Sequence, residues 1–235
     1  MYFSSFNGAY KICTAVHSGH THFVNIIAEL ELNNNHKTMK LWTIQPLEIY
    51  DLICSESIIT NSKDFIQSDF KQAYDWMILQ MEKRIGNRPF KKSYPFWAWY
   101  QYASQKKKRP DLRNSCLLEK GTEGVRIEFD KPDNQVLLSD FNLWHCVLNY
   151  WHIPNNEEES LGFDRLLEVN KIEFVNKDRY TSEIRRIVEE SWSKIFDMNY
   201  EKEYSANRFE EKSIQATFWS LNKEEITRVD YFKAR

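Results

Sequence analysis

The chain has 235 residues, of which 28% are charged, and its net charge at neutral pH is -2. This length can bury one core, and no apolar run reaches the roughly 18 residues that a membrane span requires, so we expect a soluble globular protein without a membrane partner. The six glycines form neither GxGxxG nor GxxxxGK[ST], which excludes the usual phosphate loops of Rossmann and P-loop proteins.

The cysteines indicate a reducing compartment. Cys13, Cys54, Cys116 and Cys146 are widely spaced and form no CxxC pair, so neither a zinc ribbon nor a disulfide framework is predicted. The N-terminus lacks the basic start, apolar stretch and small-residue cleavage site of a secretory signal. We therefore expect a cytoplasmic protein.

Residues 1–38 differ in composition from the rest of the chain. They contain four charged residues and four of the six histidines, and a second apparent start, MKLWTIQPLEIY, begins at Met39. The stretch CTAVHSGHTH in this segment has four residues of metal-ligand type, namely Cys13, His17, His20 and His22. Their spacing matches no standard zinc pattern, so no metal is expected. A translated upstream leader or a short packed extension is the alternative.

The first predicted elements after Met39 are a strand and two helices. LWTI favours a short strand, and Pro46 follows it at a position that a first helical turn tolerates. Residues 47–56 have apolar side chains at helical spacing. Residues 62–86 repeat apolar side chains with a period near 3.6 and end at Gly86, so they predict one long amphipathic helix.

The middle of the chain predicts two strands and a strand that enters a helix. YPFWAWYQY, residues 94–102, consists largely of residues that favour strands, and GVRIEFDKP, residues 124–132, forms the next strand. Residues 135–151 change from a strand pattern to a helix pattern. Asp140 is placed as the N-cap of that helix.

The last part of the chain predicts an acidic loop, a second long helix and two strands. The loop contains residues 157–159, and the helix covers residues 181–196. SIQATFW, residues 213–219, and ITRVDYF, residues 226–232, predict strands that flank a short helical turn capped by Asn222.

These elements predict an α+β fold. Strands and helices mix without the regular alternation of a doubly wound sheet, so we expect a mostly antiparallel sheet with two long amphipathic helices. No internal repeat or long linker is visible in the sequence. Residues 39–235 are therefore expected to form a single globular domain, with residues 1–38 as an extension.

Aromatic and basic residues adjoin each other in the middle of the chain. YPFWAWYQY alternates aromatic side chains between both faces of a strand, so both faces should be covered, either by a helix or by a planar ligand stacked on the rings. Five basic residues follow this strand, namely Lys106, Lys107, Lys108, Arg109 and Arg113. This cluster suits a phosphate or pyrophosphate group, and a solubilising surface loop is the alternative.

The strand SIQATFW has an apolar face and a mixed face. Gln215, Thr217 and Trp219 point to the mixed face. This face is either solvated, as is usual for half-buried antiparallel strands, or it lines a cleft.

Two common catalytic arrangements are not indicated. Cys146 and His145 are adjacent on a predicted helix and point in different directions, so they do not form a nucleophile and base pair. The acidic residues are scattered or clustered in loops, so paired carboxylates are not evident either.

Four stretches together resemble a bacterial family known as domain of unknown function 3841. They are MKLWTIQPLEIY, YPFWAWYQY with KRPDLR, VLLSDFNLWH and IQATFWSLNKEEI. The resemblance covers nearly all of residues 39–235 and places residues 1–38 outside the family domain. It implies no established activity.

A weaker similarity connects the chain to ADP-ribosyltransferases, especially the DarT family, which modifies DNA bases with NAD. In that family a first-strand motif resembling LYHIT helps to bind NAD, an arginine after an aromatic strand is functional, and a glutamate in a QAEF-like strand is catalytic. The matching stretches here are LWTI, RPDL and QATF. Arg109 is preserved, whereas Thr43 and Thr217 stand at the histidine and glutamate positions.

This similarity implies an NAD site in a cleft between the LWTI and QATFW strands. The candidate catalytic residues are Arg109, Gln215 and Thr217, and the candidate cofactor-binding residues are Trp42, Thr43, Trp97, Trp99 and Arg113. Tryptophan rings would stack on the cofactor, and Arg109 would contact the pyrophosphate or the acceptor. Gln215 or Thr217 would contact the nicotinamide ribose.

Three functions follow as hypotheses. The first is an NAD-dependent ADP-ribosyltransferase-like toxin or defence effector. The second is a non-catalytic module that binds a nucleotide or nucleic acid through the aromatic and basic residues, and its affinity for nucleic acid would fall steeply with salt. The third is a protein-interaction domain with an exposed apolar surface.

Overall fold

A computed structural model describes residues 37–61, 68–91, 93–200 and 208–235. The helices and strands in these ranges are β1 (Thr38–Pro46), α1 (Leu47–Glu56), β2 (Ile58–Thr60), α2 (Lys71–Ile85), β3 (Phe96–Gln101), β4 (Glu123–Pro132), β5 (Leu137–Asp140), α3 (Phe141–Leu148), α4 (Glu157–Val169), α5 (Ser182–Ser191), β6 (Ile214–Phe218), β7 (Ser220–Asn222) and β8 (Ile226–Lys233).

Six strands form one sheet in the order β5-β6-β3-β1-β4-β8, and every pairing within it is antiparallel. The short strands β2 and β7 form a second, two-stranded antiparallel sheet. The prediction of an α+β fold with a mostly antiparallel sheet is therefore confirmed.

The six-stranded sheet separates two apolar cores. The first core joins α1 to one face of the sheet, here called the α1 face, through Leu41, Ile49, Ile53, Phe96, Phe129 and Phe218. The second core joins α2, α3, α4 and α5 to the opposite face, here called the helical face, through Met77, Trp97, Trp144, Phe163 and Trp192. Because side chains alternate along a strand, the central strands have few positions left for solvent.

Local signals define α1 and α3 as predicted. Pro46 directly precedes α1, and the buried Ile49 and Ile53 lie one turn apart on it. Asp140 is the N-cap of α3, since its carboxylate accepts hydrogen bonds from the backbone N–H groups of Asn142, at 2.9 Å, and Leu143, at 3.2 Å. These bonds satisfy donors that the first turn of a helix otherwise leaves unpaired.

The predicted long helices are shorter than expected. The described part of the helix expected over residues 62–86 consists of a 3-10 turn at Ser68–Phe70 followed by α2. The helix expected over residues 181–196 is α-helical only to Ser191 and continues as a 3-10 turn at Trp192–Phe196. The α-helix ends five residues before the predicted end. Trp192 and Ile195 in the 3-10 turn are buried in the second core, so tertiary packing there overrides the helical spacing of the sequence.

The assignment of residues 157–159 to a loop is wrong, because they form the first turn of α4. Asn156 caps this helix by accepting a hydrogen bond from the backbone N–H of Glu159 at 2.9 Å. Acidic side chains in a first turn interact favourably with the positive end of the helix dipole. The acidic run was therefore a signal for the start of a helix.

Both faces of β3 and β6 are covered, as the aromatic alternation in β3 predicted. Trp97 is buried against Tyr74 and Trp144, with ring centroids 6.1 and 5.0 Å away. Thr217 on β6 is fully buried and Trp219, which follows β6, is 8% exposed. The alternative of a solvated face for SIQATFW is therefore wrong.

Acidification is expected to destabilise the fold through His152. Its side chain is 5% exposed, with Nε2 3.3 Å from the Glu159 Oε1 atom, and its ring stacks on Phe163. Desolvation lowers the pKa of His152 below 6.5, because burial disfavours the imidazolium more than Glu159 favours it. The unfolded chain then binds more protons than the folded chain, so stability is complete above about pH 6.5 and falls as the pH drops through the folded pKa.

Urea unfolding at pH 7.5, 6.5 and 5.5 measures this dependence. His152→Gln is expected to flatten the decline between pH 6.5 and 5.5. An unchanged slope in His152→Gln would show that another group is responsible.

Candidate functional site

A cleft of about 380 Å³ opens beside the first half of β1. It is lined by Lys37, Thr38, Met39, Lys40, Trp42, Tyr100, Lys108 and Asp133. β3 is in register with β1 at Trp42 and Trp99 and ends two residues later at Gln101. The first residues of β1 therefore extend past the end of β3, and the gap between them is the cleft, here called the lysine cleft.

A tight turn after β3 brings Lys108 back to the cleft. The backbone N–H of Tyr102 donates to the carbonyl of Lys108 at 2.9 Å, and that of Ala103 donates to the carbonyl of Lys107 at 3.1 Å. This pairing reverses the chain and places the Lys108 ammonium 5.1 Å from the centroid of the Tyr100 ring. A cation at this distance from an aromatic face is attracted by the ring.

The rest of the loop between β3 and β4 is anchored on β4. Arg126 is buried, and its guanidinium donates to the carbonyl of Pro110 at 2.5 Å and to Asp230 at 2.6 Å. A buried charge requires such partners, so the contacts fix the loop to the sheet. Two sets of contacts therefore fix the position of the basic turn. They are the backbone hydrogen bonds within the turn and the hydrogen bond from Arg126 to the Pro110 carbonyl.

The lysine cleft is rich in positive charge. Within the described residues neither Lys37 nor Lys108 forms an ion pair, whereas Lys40 pairs with Glu128 at 2.8 Å and Asp130 at 3.4 Å. Among the described residues that line the cleft, Asp133 is the one acidic residue. Lys37 and Lys108 therefore have no anionic partner in the part of the chain that the structure describes, which favours the approach of an anion.

Glu128 holds the inner wall of the cleft in place. Its two carboxylate oxygens accept hydrogen bonds from Lys40 Nζ and Trp42 Nε1, each at 2.8 Å. Partial burial raises the pKa of this carboxyl, but the bonds from Lys40 and Trp42 and the positive charges of Lys40 and Arg109 outweigh burial and lower the pKa below its usual value. Glu128 is therefore ionised at neutral pH, and Arg109 lies close enough to act on it.

Three of the residues predicted from the sequence are aligned across the sheet. Trp42 on β1 lies opposite Trp99 on β3, and Trp99 lies opposite Gln215 on β6. All three therefore point to the helical face. Trp99 packs edge-on against Tyr102 and Phe141, with ring centroids 5.0 Å away in both cases. Gln215 Oε1 is buried and has no hydrogen-bond partner among the described residues.

Three other predicted residues lie elsewhere. Thr43 is buried on the α1 face and donates from Oγ1 to the carbonyl of Trp97 at 3.1 Å. Thr217 donates from Oγ1 to the carbonyl of Leu137 at 3.2 Å, and Trp97 is enclosed by α2 and α3. Because β3 lies between β1 and β6, the expectation of a cleft between those two strands is wrong.

The two candidate arginines are both exposed but differ in their contacts. The positive charge of Arg109 helps to lower the pKa of Glu128. Arg113 forms a forked pair with Asp111, with Nη2 2.5 Å from Oδ2, and it lowers the pKa of Asp111 far below its usual range. Neither arginine lines the lysine cleft among the described residues, and Arg113 is occupied by its own loop.

Sequence reasoning named Trp42, Tyr100 and Lys108 of the cleft lining and missed two of its lysines. The aromatic strand and the basic turn supplied Tyr100 and Lys108. The sequence did not indicate Lys37, Lys40 and Glu128. Their position depends on the register between the neighbouring strands β1 and β4, which sets Trp42 opposite Glu128. The alternation of Lys40 and Trp42 on one side of β1 was the available local signal.

The described residues show neither a metal centre nor a membrane-spanning helix. In these ranges, no cluster of three or more His, Cys, Asp and Glu side chains could hold a metal ion. No helix there has the length and apolar character that crossing a membrane demands. The cysteine and histidines of CTAVHSGHTH lie outside the described residues.

Comparison with known proteins identifies the family. The family model described as Domain of unknown function (DUF3841) matches residues 40–227. The chain belongs to this family. No curated protein and no solved structure matches it significantly, so the weaker similarity to the DarT family gains no support. Membership of the DUF3841 family was predicted from the same stretches that form β1, β3, the β5–α3 junction and β6, and it is confirmed.

Proposed function

We propose that the protein is a non-catalytic module that binds a phosphorylated nucleotide in the lysine cleft. The observation that carries this proposal is the convergence of Lys37, Lys40 and Lys108 with the rings of Trp42 and Tyr100 around one opening. Lysines bind phosphate through charge and hydrogen bonds, and aromatic rings stack on bases. A cleft of about 380 Å³ lies at the lower end of the range for small-molecule sites.

Different residues of the lysine cleft would contact the phosphate and the base of a nucleotide. Lys37 and Lys108 form no ion pair with a carboxylate among the described residues, so they are the residues expected to contact phosphate. Tyr100 lies beneath Lys108 and is half-buried, so a base carried by that phosphate would reach its ring. Lys40 is held by Glu128 and Asp130 and mainly supports the wall.

Isothermal titration with ATP, ADP, AMP, adenosine and inorganic phosphate tests this proposal. The wild-type protein is expected to bind the phosphorylated nucleotides better than adenosine, and the affinity should fall as salt screens the lysines. The double variant Lys37→Ala with Lys108→Ala is expected to lose roughly tenfold to a hundredfold in affinity, since each removes a charged hydrogen bond.

Lys120→Ala is the matched control, because Lys120 is exposed in the same loop and does not line the cleft. It should retain wild-type affinity. The proposal fails if none of these ligands binds, or if the double variant binds as well as the control.

An NAD-dependent ADP-ribosyltransferase, acting as a toxin or defence effector, is the second candidate function. It is favoured by the Glu128 carboxylate, which accepts a hydrogen bond from Trp42 Nε1 at 2.8 Å and whose pKa the charge of Arg109 helps to lower, since an oxocarbenium-like centre left by nicotinamide would be stabilised by a nearby carboxylate. Glu128 would then supply the negative charge that Thr217 lacks.

Incubation with NAD in the presence of single-stranded DNA, RNA or cell lysate separates the two candidates. Nicotinamide release that is lost in Arg109→Ala and Glu128→Gln would establish the transferase. Saturable nucleotide binding without nicotinamide release would leave the binding module as the function.

A further inference from the structure

Among the strands that the structure describes, β8 is the outer edge of the six-stranded sheet and has a strand partner on one side only. Within the described ranges β4 is the one strand that pairs with β8, so the opposite edge of β8 presents backbone N–H and C=O groups without a strand partner. Every residue of β8 is partly or fully exposed. The other edge strand, β5, has four residues and is mostly buried. An open edge of eight residues is a template for another strand.

The side chains of β8 divide into two sets. Arg228 and Asp230 point to the helical face, opposite Glu128 and Arg126 of β4. Val229 and Tyr231 point to the α1 face, where the Tyr231 ring lies edge-on to Tyr50 at 6.1 Å and is 64% exposed. The charged and the apolar positions therefore alternate along the open edge.

Symmetry restricts how two copies of this edge could pair. In an antiparallel pair related by a two-fold axis perpendicular to the sheet, residues that lie opposite each other point to the same face. One residue must therefore lie opposite its own copy, and the axis passes midway between these two copies. An axis at Arg228 or at Asp230 sets like charges opposite each other, which is destabilising. An axis at Val229 sets Arg228 opposite Asp230 of the second copy and the reverse, and it sets Thr227 opposite Tyr231.

We propose that β8 is a homodimer interface, in which a second copy of this chain pairs antiparallel about Val229 and joins the two sheets into one. Within each copy Arg228 already pairs with Asp230 at 2.8 Å, and in this register it also lies opposite Asp230 of the second copy, whereas the two adjacent registers set like charges opposite each other. The β4–β8 ladder shifts register next to Glu128, where Thr227 donates to the Glu128 carbonyl at 3.2 Å. The paired stretch therefore runs from Thr227 to Tyr231, and it does not involve the lysine cleft.

Sedimentation of the full chain over a range of concentrations tests whether the dimer forms. The wild-type protein is expected to dimerise, and Arg228→Glu is expected to weaken the dimer by about tenfold, because two like-charge pairs replace two attractive ones. The side chain of Arg228 is 56% exposed, so Arg228→Glu should keep its far-UV circular dichroism spectrum. Arg228→Lys preserves the charge and should retain the dimer. A monomer at every concentration would overturn the proposal.

A cysteine at position 229 tests the register independently. At the axis, the two Val229 Cα atoms would lie roughly 4.5–5.5 Å apart, within the range that a disulfide spans. Val229→Cys is therefore expected to form a covalent dimer under mild oxidation, beyond the background of the wild-type cysteines. Tyr231→Cys is the control, since its two copies would lie about 13 Å apart. Equal cross-linking of both variants, or a dimer in which Val229→Cys fails to cross-link, would overturn this register.

Discussion

Exchange of Lys212 for methionine is expected to lower the free energy of unfolding by about 3–5 kcal/mol, because it leaves a buried carboxylate without its counter-charge. Lys212 Nζ lies 3.2 Å from Asp140 Oδ2, and the two side chains are 0% and 2% exposed. The same ammonium donates to the carbonyl of Tyr200 at 2.8 Å. Methionine fills a similar volume but replaces neither contact. Urea unfolding at pH 7, followed by tryptophan fluorescence, measures the loss.

Two comparisons isolate the electrostatic part of this effect. Lys71→Met removes an exposed pair with Asp75 and should leave the free energy of unfolding nearly unchanged, because solvent screens that pair. The double variant Lys212→Met with Asp140→Asn removes both buried charges, and asparagine can still cap α3, so most of the lost stability should return. If Lys212→Met lowered the free energy of unfolding as little as Lys71→Met, the buried Lys212–Asp140 pair would not be the source of the stability.

Replacing Trp192 by alanine is expected to cost a similar amount, about 3–5 kcal/mol, because it empties the centre of the second core. Trp192 is fully buried and packs edge-on against Trp76 and Tyr150, with ring centroids 5.4 and 5.0 Å away. Its Nε1 also donates to the carbonyl of Trp151 at 2.8 Å. Alanine leaves a cavity and an acceptor without its donor, and urea unfolding again measures the change.

Trp151→Ala is the matched control for Trp192→Ala. Trp151 is 40% exposed, so its removal should cost less than about 1 kcal/mol. Trp192→Phe should fall between the two, since it keeps an aromatic ring but loses the donor. If the two alanine variants were equally stable, Trp192 would not be central to the core.

The proposed nucleotide site and the proposed dimer interface lie at different parts of one sheet. The lysine cleft lies at the first half of β1, and β8 lies at the edge beyond β4. A failure of nucleotide binding would therefore leave the dimer proposal standing, and a monomeric protein would leave the cleft proposal standing. The experiments given for each distinguish these outcomes.

Signals that act within a few residues predicted much of the secondary structure. Pro46 and the apolar spacing after it predicted α1, Asp140 predicted the start of α3, and Asn222 predicted the turn before β8, where it forms a capping box with Glu225. These signals work because a helix end must satisfy its own backbone groups with nearby side chains. The acidic run at residues 157–159 obeyed the same rule and was misread as a loop.

The sequence by itself determined the fold class, the family and the covering of both faces of β3, because alternation, caps and short motifs are local properties. Only the tertiary structure decided the order of the strands, which sets β3 between β1 and β6 and removes the expected cleft there. It also brought Lys40 and Trp42 to Glu128, and Lys212 to Asp140. Such contacts depend on register between strands far apart in the chain, and register follows from the burial of whole faces rather than from any short stretch.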